Sequence, residues 1–69
     1  MKIILKDIYG NQIFTYESNS IPRVNETIEL IDKGIYKVLN VTHKISKYVE
    51  NITSTWVELT VDYIEISDT

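Results

Sequence analysis

Histidine is the side chain that changes charge near neutral pH, and the chain has one, His43. Acid or base work by His43 would need a nucleophile or a carboxylate held beside it. There is no cysteine, and no serine stands in a nucleophile-elbow context. The nearest carboxylate in the strand register derived below is Glu58, a diagonal neighbour. His43 is therefore read as a structural histidine at the edge of the core, hydrogen-bonding a loop. The sequence has no paired Asp/Glu motif, no glycine-rich phosphate loop and no metal-ligand spacing. Catalytic residues, metal ligands and cofactors are accordingly not expected, and the protein is not expected to be an enzyme.

Trp56, Lys44 and Tyr48 form the more informative group. A solvent-facing indole beside an ammonium group makes a cation–π contact, and Trp and Tyr are over-represented among binding hot spots. With Lys47 and Ile52 they are expected to form a surface for a partner or for a second copy of the chain. Charge is segregated along the sequence. Lys33, Lys37, Lys44 and Lys47 have no acid between them, while Glu50, Glu58, Asp62, Glu65 and Asp68 have no base between them. Antiparallel pairing would bring the two blocks together and neutralise them across the ladder. A phosphate-binding use of Arg23, Lys37 and His43, beside aromatics that stack a base, is the alternative.

Two long β-patterned runs, Ile35 to Ile45 and Thr55 to Ile66, must position these residues. They flank a short polar break and read as one antiparallel hairpin. Pairing residues whose numbers sum to about 100 sets Val41 opposite Leu59, His43 opposite Val57, Lys44 opposite Trp56 and Thr42 opposite Glu58. This register buries one apolar face. Apolar alternation changes phase between Val38 and Leu39, as a β-bulge would produce. Leu39 is expected opposite Val61, Val38 opposite Tyr63, and Tyr48 opposite Ile52 at the hairpin tip, with a helical turn over Ser46–Ser54 as the competing reading. Upstream, strands are expected over Met1–Ile8, Ile13–Glu17 and Thr27–Ile31. Gly10-Asn11 and Asp32-Lys33-Gly34 are read as turns.

Composition agrees with a sheet. There are twelve Ile, six Val, seven Thr and five Tyr, but no Ala, and β-branched and aromatic side chains suit a pleated surface. Sixty-nine residues are expected to form a single domain (1–69). A chain this short buries only roughly 60% of its unfolded surface, so self-association is a natural supplement. The formal charge of −3 argues against a duplex-DNA binder. No apolar run is long enough to span a membrane and no signal peptide is evident, so the cytoplasm is the expected compartment. Abundant Ile, Asn, Lys and Tyr with one Arg, one Pro, two Gly and no Ala suggest AT-rich coding DNA, as in a low-GC bacterium or its phage.

The stretch Pro22-x3-Glu26-x-Ile28 followed by Tyr36-x-Val38-x2-Val41-x-His43 resembles small SH3-like barrel proteins of bacteria, phages and mobile elements. The resemblance spans residues 22–43. It implies that the proline loop and the Glu-Thr-Ile strand open a barrel across which the Tyr-x-Val strand bends. Where such loops usually carry a glycine, this chain has Asn25. The expected fold is all-β: a five-stranded antiparallel meander, either an SH3-like barrel or a strongly curved sheet with a long C-terminal hairpin. The expected function is a binding module of a bacterial host cell's phage or mobile element that inhibits a host defence or replication protein. A nucleotide-sequestering oligomer and a self-assembling structural component are the alternatives.

Overall fold

The computed structural model describes residues 1–47 and 53–65. Five strands occupy most of them: β1 (Lys2–Lys6), β2 (Gln12–Glu17), β3 (Thr27–Leu30), β4 (Gly34–Lys47) and β5 (Thr53–Glu65). All five join one sheet in the order β2-β1-β5-β4-β3, curled into a half-barrel. The all-β class, the strand count, the curvature and the long hairpin agree with the sequence reading.

The topology corrects it. The sheet is mixed, not an antiparallel meander, because β1 runs parallel to β5 with Ile3 beside Val57 and Leu5 beside Leu59. The physical reason lies in β5. Its inward residues Val57, Leu59 and Val61 are almost wholly buried, and one antiparallel neighbour covers only one flank of such a strand. The alternating Ile3 and Leu5, also inaccessible to solvent, supply the other flank. β2 and β3 are consequently far apart in the sheet, one at each edge.

Val38 from β4 and Leu30 from β3 complete the buried core, with Ile13, Tyr16, Ile21, Ile28, Tyr36 and Val41 packed around it. The curl brings the two edges toward each other. Lys33, in the β3–β4 turn, lies over the ring of Phe14 on β2 at 5.8 Å from its centroid, within cation–π range. Phe14 and Tyr16 share a face, with ring centroids 6.3 Å apart.

Irregularities in β4 permit the bend. Val41↔Leu59, Thr42↔Glu58, His43↔Val57 and Lys44↔Trp56 pair as the sum rule requires. On the other side of the bulge the register shifts in the opposite sense to the one expected. Val38 faces Val61, Tyr36 faces Tyr63, and Leu39 is the extra residue between Val38 and Asn40. This choice buries Val38 fully and leaves Leu39 exposed, while Tyr36 and Tyr63 meet edge to face at 5.6 Å. An apolar pattern alone could not select it, because Val38 and Leu39 are both suitable core residues. Ser46↔Ser54 and Lys47↔Thr53 continue the ladder, so these four residues are strand and not helical turn. The expected Tyr48–Ile52 pair lies outside the described residues.

Turns use residues that tolerate positive φ. Gly10 has φ 87°, Asn25 77° and Asp32 70°. The Gly10-Asn11 turn is organised by Asp7, whose Oδ1 accepts the N–H groups of Tyr9 at 2.9 Å and Asn11 at 2.8 Å. Asn25 takes the left-handed conformation that a glycine would take more easily, and its N–H donates to the Val38 carbonyl at 2.8 Å. Replacing Asn25 tests this directly. Asn25→Gly should leave stability unchanged or raise it, and Asn25→Val should lower it by about 1–2 kcal/mol, the cost of forcing an ordinary L-residue into that region. Urea denaturation midpoints should rank Gly at or above Asn, and both above Val.

Candidate functional site

The outward face of the sheet's centre carries a row of polar and aromatic groups. Alternation along a strand sends Trp56, Glu58 and Thr60 to the side opposite Val57 and Leu59. The parallel pairing sets Lys2 beside Trp56, Ile4 beside Glu58 and Lys6 beside Thr60. On the other flank Lys44 stands beside Trp56 and Thr42 beside Glu58. Trp56 is thus flanked by two lysines in one cross-strand row.

Glu58 organises this face. Its Oε2 accepts the indole Nε1–H of Trp56 at 3.0 Å, and its Oε1 pairs with Lys6 Nζ at 3.0 Å. The Trp56 hydrogen bond foremost, then the Lys6 hydrogen bond, and more weakly the charge of Lys44, hold its carboxyl below the ordinary glutamate range. The indole orientation is therefore set by a hydrogen bond along its own strand, and Lys44 is its register neighbour. The cation–π contact expected at Trp56 is found instead at Lys33 and Phe14. An open concavity of about 460 Å³ beside the indole is lined by Lys2, Ile4, Ser54, Trp56 and Glu58.

The other expected site residues are dispersed. Lys37 stands opposite Asp62, and Lys44 acts electrostatically on Glu58, in keeping with neutralisation of the two charge blocks across the ladder. Lys47 is exposed at the far end of β4. His43 projects from the core side of the sheet, opposite Val57, yet is exposed, on the edge of β4 beyond Lys37, where the β3 ladder has already ended. Lys37 points to the opposite side, six residues away, or about 20 Å along an extended strand. Arg23 lies in the loop before β3, exposed, with its backbone N–H donating to Glu26 Oε1 at 2.6 Å. Arg23, Lys37 and His43 are not gathered into one pocket. Tyr48 and Ile52 lie outside the described residues. A shallower concavity of about 500 Å³ follows the proline loop, lined by Ser20, Pro22, Asn25, Glu26 and Thr27.

Sequence reasoning found Trp56 and Lys44 but missed Lys2, Ile4, Lys6 and the organising role of Glu58. Their only signal was the alternation of Ile3 and Leu5 against Lys2, Ile4 and Lys6, which carries meaning once β1 is known to lie beside β5. Among the described residues there is no cluster of three or more His, Cys, Asp or Glu side chains placed to hold a metal ion. Among the same described residues no helix is long and apolar enough to cross a membrane. These features define a small all-β protein with a mixed, curled sheet and an aromatic-centred outer face. No protein-family model, no curated protein and no solved structure matches the chain.

The Glu58 linkage has a definite sign. Its lowered pKa means that its contribution is present above the ordinary glutamate value of about 4.3 and is lost as pH falls through the folded-state value. The side chain is 20% exposed, so the contribution should be about 1 kcal/mol or less. Trp56 is the single tryptophan, and its fluorescence should report the titration. The emission change should have a midpoint below the glutamate range in the wild type, rise toward that range in Lys6→Met, and vanish in Glu58→Gln.

Proposed function

We propose that the chain is a non-enzymatic binding protein that occupies the surface of another protein through the outer face centred on Trp56. The observation that carries this reading is the held indole. Its Nε1–H is satisfied by Glu58, Glu58 is anchored by Lys6, and an open concavity lies alongside. A tryptophan fixed before binding loses little side-chain entropy on contact, which is what makes such residues effective anchors. Lys2 and Lys44 on either side favour a partner surface with acidic groups around a bulky apolar side chain.

The narrower form of the proposal is a phage or mobile-element protein acting in a bacterial cytoplasm, inhibiting a host defence or replication factor by covering its working surface. AT-rich residue usage supports that form. A second reading has one observation in its favour. The Lys2-Trp56-Lys44 row could stack a base on the indole and meet phosphate with the two ammonium groups, as a nucleotide-sequestering protein would require.

Affinity purification with the wild-type chain and Trp56→Ala, followed by calorimetry on any retained protein, tests the first reading. Trp56→Ala should weaken binding at least about tenfold, equivalent to about 1.4 kcal/mol, with the fold intact by circular dichroism. Equal retention by both chains would sink the proposal. Retention of a nucleotide with steep salt dependence would replace it with the second reading.

A further inference from the structure

The arm formed by β4 and β5 is under-supported for its length. The β1–β5 ladder ends at Lys2↔Trp56. The β3–β4 ladder ends at Thr27↔Lys37, extended only by the two backbone hydrogen bonds of Val38 with Asn25 and Glu26. Among the described residues nothing pairs with the other edge of β4 from Leu39 to Lys47. Beyond Trp56 the arm is a bare two-stranded ribbon, an arrangement of marginal stability in water. The radius of gyration, 13.4 Å, exceeds the roughly 11 Å expected of a compact chain this long. Ile45, on the inward face of this ribbon, is 73% exposed.

We propose that this open edge of β4 pairs, antiparallel and about a two-fold axis, with the same edge of a second copy of the chain, with His43 opposite His43 of that copy. The proposal is independent of the Trp56 surface. The occupant follows from self-complementarity. His43 is the midpoint of the described open run Leu39–Lys47, so centring the axis there uses all of that run. Val41 then stands opposite Ile45 of the second copy, twice over, covering the exposed isoleucine. Lys44 faces Thr42 and Lys47 faces Leu39, so no lysine directly opposes another.

Neighbouring registers fare worse. Moving the axis to Lys44 sets Lys44 against its own copy, a like-charge pair that destabilises a ladder. Moving it to Thr42 runs Val38 into the second copy, although the N–H and C=O of Val38 already bond Glu26 and Asn25. Lysines commonly guard exposed edges against pairing. Here Glu58 answers the charge of Lys44, and the exposed Lys47 stands at the end of the described run, opposite Leu39 of the second copy and not another lysine.

The chain has no cysteine, which makes a cross-linking test clean. Under mild oxidation His43→Cys should give a disulfide-linked dimer, because directly opposed residues lie at Cα separations of about 4.5–5.5 Å. Lys44→Cys, offset from its own copy, should cross-link far less. Sedimentation should show wild-type monomer converting to dimer from micromolar to millimolar concentration. His43→Lys and His43→Asp should each be monomeric alone and form a heterodimer when mixed. A wild-type monomer throughout the range overturns the proposal. So does a dimer that cross-links as well through residue 44 as through 43, or a mixture of charge variants that stays monomeric.

Discussion

The parallel pairing of β1 with β5 is the contact on which the rest of the structure depends. It makes β5 an interior strand, and it is why Val57, Leu59 and Val61 lose their solvent contact. The same register decides the other face. With Ile3 on Val57, Lys2 must stand by Trp56 and Ile4 by Glu58. A slip of one residue would turn Lys2, Ile4 and Lys6 inward and expose Ile3 and Leu5, since side chains alternate with period two. Core and outer face are therefore a single choice, made once.

Curvature follows from that choice. A sheet with two distant edge strands and one apolar side buries that side only by bending. The bulge at Leu39 and the irregularity between Ile35 and Tyr36 increase local twist and let β4 turn. Residues 18–26, which link edge strand β2 to edge strand β3, must pass from one side of the sheet to the other. Ile21 packs against the core on the way. The loop then places Asn25 against Val38, just before the bulge. The left-handed Asn25 is thus tied to the position where β4 changes register, which explains why a residue able to take positive φ is needed there.

The sequence was legible wherever a pattern was local. β-branched alternation revealed every strand, and arithmetic over the Ile35–Ile66 hairpin paired Trp56 with Lys44 and Val41 with Leu59 correctly. It failed where two residues were equally apolar, as at Val38 and Leu39, because only the volume left by Tyr36, Val61 and Tyr63 separates them. It failed more broadly at β1–β5, for a different reason. More than fifty residues separate Ile3 from Val57, and no turn links the two strands, so nothing local encodes their register. The Lys6–Glu58–Trp56 chain of contacts rests on that long-range pairing, which is why the organising residue of the outer face stayed hidden while its aromatic neighbour did not.

The edge of β4 and the Trp56 face do not compete. Pairing through the edge of β4 uses backbone groups and the inward side of the arm, while Trp56 belongs to the outward side of β5. A two-fold axis perpendicular to the ribbon keeps both outward sides facing the same way. The strand order across the joint would be β5-β4 followed by β4-β5 of the second copy, three strand spacings wide. With two residues of offset along the strands, the two Trp56 Cα atoms would stand roughly 16 Å apart. A dimer of this kind presents two identical anchors to one target surface, and a second contact made from a tethered first one gains affinity without any new chemistry. For a protein whose core, among the described residues, is seven buried side chains, doubling an existing contact is a more accessible route to tight binding than enlarging it.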